Sequence, residues 1–339
     1  MKSVISLKLN ILFMNKIKLS LLLSLLLSYS GYSQFTDVIN SNRPGESMAA
    51  FSVGKTVFQA EMGVYGFKEK HELQNYEARG FGSNLDLRYG AFFEQLEFIL
   101  NLQYQNENYT APLVNETIGG LKKTIIGAKF LIYDPMKKFE EKPNLYSWKA
   151  NHRFSYRQFI PAVGVYAGLN INLSKDVFLR PSIPEDPSFS PKLMLLTQNQ
   201  FGKSVLVINV IFDKFQSKKE SIDYVVTLTR GFNSRWSGFI ENQGFNSDYY
   251  ADSFLRGGAA YLVKQNIQID ASIGTNFKNT PSFLIGGIGA SWRFDANYSE
   301  VMLRIPKDKK DKDKGKSKKD KKKEKSKKRL DEIEGEKTN

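Results

Sequence analysis

The chain contains no cysteine. That excludes a disulfide framework, a thiolate metal site and a thiol for lipid attachment behind a leader. Histidine is almost as scarce: His71 and His152 are the two in 339 residues, and neither has a metal-ligand partner at useful spacing. An outer-membrane phospholipase would need a Ser-His-Asn/Asp group on the outside of a barrel, and no strand-like run carries a histidine. No catalytic residues, metal site or cofactor are therefore expected. Helical periodicity is missing as well. Between Thr56 and Phe294 no segment keeps apolar residues at i, i+3 and i+4. The glycine clusters "RGGAA" and "IGGIGAS" lie inside strand-like runs, where glycine allows close approach or bending rather than phosphate binding.

The one long apolar run is at the N-terminus. Lys16 and Lys18 precede Leu19 to Tyr29, and Gly31-Tyr32-Ser33 supplies a small-x-small cleavage site, which predicts a secretory signal peptide over 1–33. Met14 to Ser33 is by itself a complete leader. The apolar core spans about 11 residues, shorter than the ~20 a membrane helix needs. The mature chain then begins near Gln34, in an envelope space.

The formal charge of +14 is unevenly spread. Residues 1–33 carry four lysines and no acids, residues 304–339 carry 17 Lys/Arg against 9 Asp/Glu, and 34–303 are left with 28 against 26. The body is nearly neutral, so the basic balance does not point to nucleic acid. The tail "KDKKDKDKGKSKKDKKKEKSKKRLDEIEGEKTN" has too little apolar surface to fold and reads as disordered over 295–339. It is either a solubilising extension or an attachment to the negative inner leaflet, peptidoglycan or an acidic envelope protein.

What the body does contain is alternation at period two. Leu96, Phe98, Leu100, Leu102 and Tyr104 share one face, and Glu97, Asn101, Gln103 and Gln105, with Ile99, share the other. Asn84 to Ala91, Ile222 to Thr229 and Ile267 to Gly274 repeat the pattern. A soluble sandwich also alternates, but its strands run about 5 to 6 residues. These runs reach the ~9 to 11 needed to cross a bilayer at a tilt. Strands in lipid must close into a barrel with the apolar face outward. The expected fold is therefore all-β, a transmembrane antiparallel up-and-down barrel of about 12 strands over 56–294. The strands are placed near 56–67, 82–92, 95–106, 122–133, 157–173, 190–201, 203–213, 220–231, 235–245, 254–264, 266–276 and 282–294. Short periplasmic turns are expected to alternate with longer outer loops such as 68–81 and 174–189. Asp134 to Tyr156 would be a long basic connection on the periplasmic side. The last strand ends on Trp292 and Phe294, both lipid-facing, as in an interfacial aromatic belt.

The opposite face predicts the lumen: Gln59, Glu61, Asp86, Arg88, Glu97, Asn101, Lys129, Glu241, Asp270 and Arg293. Mixed signs allow salt bridges that hold the barrel together, or a narrow solute route between them. Ahead of the first strand, "NSNRPGES" places Arg43 at the barrel mouth, within 34–55, the N-terminal periplasmic or lumen segment. Pro44 biases Arg43 to an extended conformation, and its fork suits carboxylates such as Glu61, Glu97 and Asp270. The stretch is either an internal plug or latch, or a plain flexible lead-in.

The pieces "NRPGES", "GKTVFQAEMGV", "LDLRYGAFFEQLEFIL", "IIGAKFLIYD", "FIPAVGVYAGLNI" and "LRGGAAYLVKQNIQIDASIGTNFKNTPSFLIGGIGASWRF" together resemble a family. It is that of the Gram-negative outer-membrane barrels assigned to transport in the phenol meta-cleavage pathway. The resemblance covers Asn42 to Phe294. Asn42 stands where the family often has aspartate, the 134–156 connection is longer, and the lysine-rich tail is additional. The resemblance implies an outer-membrane location, contact with lipid, and a terminal aromatic read by the barrel-insertion machinery. It also implies a narrow passive channel for small, apolar or aromatic molecules. A structural or accessory subunit of an outer-membrane assembly or secretion complex, contacting partners through the tail and 134–156, stands as the alternative.

Overall fold

The computed structural model describes residues 39–135, 159–173, 178, 180 and 186–295. The leader, most of 134–156, His152 and the lysine-rich tail lie outside the described residues. Twelve strands follow in chain order: β1 Val57–His71, β2 Tyr76–Gly90, β3 Leu96–Ala111, β4 Val114–Tyr133, β5 Ala162–Ile171 and β6 Phe189–Phe201, then β7 Ser204–Asp213, β8 Ser221–Gly231, β9 Trp236–Asn246, β10 Ala251–Lys264, β11 Ile267–Asn276 and β12 Ser282–Asp295. Each pairs antiparallel with its chain neighbours, and β1 pairs with β12 from Val57↔Asp295 to Lys70↔Ser282, which closes the barrel. Closure leaves no edge, so the ladder supplies a partner to backbone groups that lipid could not hydrate.

The exterior is apolar. Met62, Val64, Phe81, Ile126, Ile240, Ile273 and Ile288 are each more than half exposed, on the face opposite the charged residues. In water each such side chain would forgo about 1.5 to 3 kcal/mol of burial; facing lipid they cost nothing, and the barrel spans a membrane on that account. Trp292 and Phe294 sit on this outer face with ring centroids 5.9 Å apart.

Two differences from the sequence expectation matter. The outer connections after β1 and β3 are tight, at 72–75 and 112–113. The expected loop 68–81 is instead the ends of β1 and β2, because ladder pairing continues from Glu69↔Ala78 to His71↔Tyr76 in a hairpin that rises past the apolar band. His71 thus ends a strand rather than lying in a loop. Its ring stacks at 5.3 Å on Tyr76 and its Nδ1 accepts from the Gln74 N–H at 3.1 Å. The length alternation holds at the 172–188 connection and fails on this side of the barrel.

The inner face, moreover, is not uniformly polar. Ile99, Ile125, Tyr166, Met194, Ile211 and Val225, from β3 to β8, are buried in one cluster inside the barrel, with Met48 and Phe51 packed on it. A lumen wall can be apolar where something other than water covers it, and here residues ahead of β1 do so.

Candidate functional site

Residues 39–56 enter the lumen from the end that carries the 202–203 turn, fixed at their two ends by backbone bonds from the Ile39 N–H to the Gln265 carbonyl (2.9 Å) and from the Thr56 N–H to the Gly90 carbonyl (2.8 Å), and between these ends they join no strand ladder. A buried backbone polar group must find a partner, and lumen side chains provide it. Glu61 accepts from the N–H groups of Asn42 (3.4 Å) and Arg43 (3.2 Å). Glu241 accepts from Glu46 (3.0 Å) and Ser47 (3.2 Å), and Glu97 from Val53 (2.9 Å). Asn209 takes both groups of Met48, accepting from its N–H at 2.6 Å and donating to its carbonyl at 2.9 Å, as a neighbouring strand would. Gln198 accepts from the Ala50 N–H at 3.1 Å, and Gln268 donates to the Arg43 carbonyl at 3.2 Å. Gln59 donates to the Asn40 carbonyl at 3.1 Å.

Behind these contacts runs a charge network across β1 to β4. Arg88 donates to Glu61 at 2.7 Å and Glu97 at 2.6 Å, and to the Asn40 carbonyl at 2.9 Å. Lys129 lies 3.1 Å from Glu97 and donates to the carbonyls of Ala49 (3.1 Å) and Phe51 (2.9 Å). All four side chains are fully buried. Burying them is tolerable because two carboxylates face two cations and the remaining lone pairs and protons are bonded.

Arg43 has its own cradle. Asp270, Gly289, Gly63 and Asn84 occupy one register row across β11, β12, β1 and β2. The guanidinium spans that row, donating from Nε and Nη2 to Asp270 at 3.3 and 3.0 Å and from Nη1 to Asn84 at 3.0 Å. It lies so close to Gly63 and Gly289 that a Cβ on either would collide with it, so only glycine fits in the middle of the row. Of the three carboxylates expected to meet the Arg43 fork, Asp270 alone does. Glu61 holds the backbone N–H instead, and Glu97 is saturated by Arg88, Lys129 and Val53. Arg43-Pro44 is a cis peptide.

The remaining predicted lumen residues are placed as follows. Asp86 and Asn101 are bonded to each other and line a cavity with residues 42–48. Arg293 is buried, paired in register with Gln59. Glu241 also accepts from Thr227 at 2.7 Å and from Arg256 at 2.5 Å.

Two cavities flank the segment. One of about 180 Å³ lies on its outer side, lined by Asn84, Gln103, Lys123, Lys192, Met194 and Arg256 among others. The other, of about 210 Å³, lies on its inner side, near Val205, Ser237 and Ala260. Residues 42–45 line both. Farther out, Arg180 from the 172–188 connection reaches across the rim. It donates to Glu107 at 2.7 Å and Glu69 at 3.1 Å, with its Cζ 5.7 and 5.4 Å from the ring centroids of Tyr76 and Tyr109.

Several of these residues escaped the period-two reading. Asn209 is the lone polar residue of "VLVINVIF", which was a usable signal. Lys122-Lys123 was another, since two adjacent lysines cannot alternate into lipid. A β-bulge in β4 resolves it, the register passing from Gln103↔Lys123 to Tyr104↔Leu121. Both lysines then face the lumen, Lys122 donating to Gln105 at 2.9 Å. Nothing in the sequence marked Arg180.

A family model described as "Putative MetA-pathway of phenol degradation" matches residues 41–294. The chain belongs to this family. The match starts at Ser41, ahead of β1, and ends at Phe294, the last aromatic of β12. No curated protein matches this chain. Among solved structures, an outer membrane channel from Pseudomonas putida F1 has a TM-score of 0.49 at 12% identity, over 75% of this chain and 100% of that one. The translocator domain of the autotransporter NalP from Neisseria meningitidis gives 0.43 at 9%, over 75% and 90%. The CymD monoaromatic hydrocarbon channel gives 0.40 at 10%, over 72% and 90%.

Proposed function

We propose that this member of the phenol-degradation family is an outer-membrane channel for small aromatic molecules, held shut at rest by residues 39–56, with Arg43 as the latch. The observation that carries the reading is how the segment is held. Between Asn40 and Val53 its backbone is bound by side chains on the barrel wall and not by a strand ladder, with a single backbone bond to the barrel at Ile39 and another at Thr56. It can therefore leave without breaking the closed sheet, whose pairing is complete from β1 to β12. The cavities on either side would then join into one path. Strand parity supports a periplasmic N-terminal segment and C-terminal tail, as both ends of the barrel sequence fall on the side of the two-residue turn 202–203.

The family description supports an aromatic solute, and the cavity size agrees with it. An engineered apolar cavity of about 150 Å³ holds one benzene, and the outer cavity has about 180 Å³. No group of His, Cys, Asp or Glu among the described residues is placed to hold a metal, and the reading requires no chemistry of the wall, only passage. The direct test is deletion of residues 39–55 behind the leader, with the product reconstituted into liposomes. Uptake of toluene and benzamide should rise several-fold over the parent. A folded, plug-deleted barrel that passes neither would overturn the channel reading.

A further inference from the structure

The outer cavity has two unlike walls. Ile99, Ile125, Tyr166, Met194, Ile211 and Val225 form the apolar one. The other borders it along the same strands, with Asn101 and Gln103 on β3, the ammonium groups of Lys123 on β4 and Lys192 on β6, and Asn84 on the adjoining β2. Four cations line the space, but Arg43 and Arg256 are already neutralised by Asp270 and Glu241 behind them. Lys123 and Lys192 are not. Among the described residues neither makes a salt bridge or a side-chain hydrogen bond. Lys123 is opposite an amide, Gln103. Lys192 is opposite Asp213, whose carboxylate is turned to Asn170 (2.8 Å) and the Lys214 N–H (3.1 Å). The two lysines lie in each other's field, and Lys192 also lies in that of Asp213, Asp223 and Glu46, none of which it contacts.

Two carboxylates also line the cavity. Asp86 is bonded by Asn101. Glu46, from the plug itself, is half exposed and stands 3.8 Å from Arg256, too far for a hydrogen bond. Its carboxylate projects into the space where the lysines lack a contact.

Resting on the channel reading, we infer that the outer cavity is a binding site for a single-ring aromatic carboxylate, with its ring on the apolar wall and its carboxylate between Lys123 and Lys192. The volume admits one ring and a small substituent. The apolar wall favours the ring, and two ammonium groups that no carboxylate contacts favour one negative charge. A neutral ring would leave both lysines as they are, and an aliphatic diacid would waste the wall. Glu46 is the competitor: a plug carboxylate that shares the field of the lysines weakens the site while the channel is shut.

The test uses full-length folded protein in detergent, with 4-fluorobenzoate and 4-fluorobenzamide as probes read by fluorine NMR. The acid should bind at least about tenfold tighter than the amide, the range of one to two charge-assisted hydrogen bonds. Lys123→Gln with Lys192→Gln should remove that preference, the acid losing affinity at least about tenfold relative to the amide. Glu46→Gln should strengthen acid binding several-fold. Equal affinity for the two probes, or a preference that survives in the double lysine variant, overturns the site. Liposome uptake separates this from the channel reading. If the plug-deleted barrel passes the amide but the parent shows no preference for the acid, the channel stands and the anion site falls. If neither probe crosses while lysine-dependent binding of the acid persists, the site stands and the channel reading falls.

Discussion

Arg43→Ala is the perturbation that bears most directly on closure. The parent guanidinium makes contacts to Asp270 at 3.0 and 3.3 Å and to Asn84 at 3.0 Å, with 10% of the arginine side chain and none of the aspartate exposed. Removing one partner of a buried pair costs about 3 to 5 kcal/mol. Here water from the flanking cavities can reach the vacated space, so about 2 to 3 kcal/mol is the better figure, in line with charged hydrogen bonds. At 1.4 kcal/mol per decade, that raises the population of undocked plug roughly thirty- to hundredfold. The other anchors, Glu61, Glu97, Glu241 and Asn209, remain, so the variant should flicker rather than stay open. In planar bilayers it should open more often than the parent and prefer cations, because Asp270 is uncovered. Gly289→Ala provides an independent arm. Its methyl would occupy the guanidinium's place, evicting Arg43 without changing charge, so opening should again rise. Both changes act through one contact, so the double variant should open little more than Arg43→Ala alone. Traces of both single variants indistinguishable from the parent, with folding confirmed by heat-modifiable migration, would refute the latch, and full additivity would show that the two residues do not share a contact.

Asn209→Leu removes both bonds to Met48 and should loosen the plug by about 2 kcal/mol, read as faster proteolysis of residues 39–56 in the detergent-solubilised barrel; unchanged protection would show that this contact does not hold the segment. A tag inserted in the 247–250 connection should be labelled on intact cells, and one after Asn339 should not; the reverse pattern would invert the topology. In the 172–188 connection, burial raises the Asp186 carboxyl, but Lys214 at 2.5 Å and Lys219 at 3.1 Å outweigh it and hold its pKa below the ordinary aspartate value. That anchor is therefore fully present above the unfolded value of about 3.9 and is lost only as pH falls through the lower folded value, so protease sensitivity of 172–188 should stay flat from pH 7 to about 4 and rise below it; a rise between pH 7 and 5 would contradict the pairing.

Period-two alternation with runs near ten residues determined the barrel, since a strand whose apolar face looks outward has no alternative in lipid but closure. Each of the twelve strands overlaps the run that pattern marks, though β5 is shorter, Ala162–Ile171 against the expected 157–173. The same pattern put Glu61, Arg88, Glu97, Lys129, Glu241, Asp270 and Arg293 on the face opposite the apolar one, where they are buried, because facing is a local property of the pleat. It misjudged the heights of β1 to β4, where pairing outlasts the apolar band and no local signal says so. Pairing partners were beyond it altogether. That Asp270, Gly289, Gly63 and Asn84 form one row depends on the register of four strands, with Asp270 and Gly289 more than 180 residues from Gly63 and Asn84 in sequence, and only the closed sheet fixes it. The bulge that turns both Lys122 and Lys123 inward, and the reach of Arg180 to Glu69 and Glu107, are likewise decided by long-range geometry. Where "NSNRPGES" sits could not be read from its eight residues: their conformation is set by acceptors on β1, β2, β9 and β11, which lie in one place only once the barrel has closed around them.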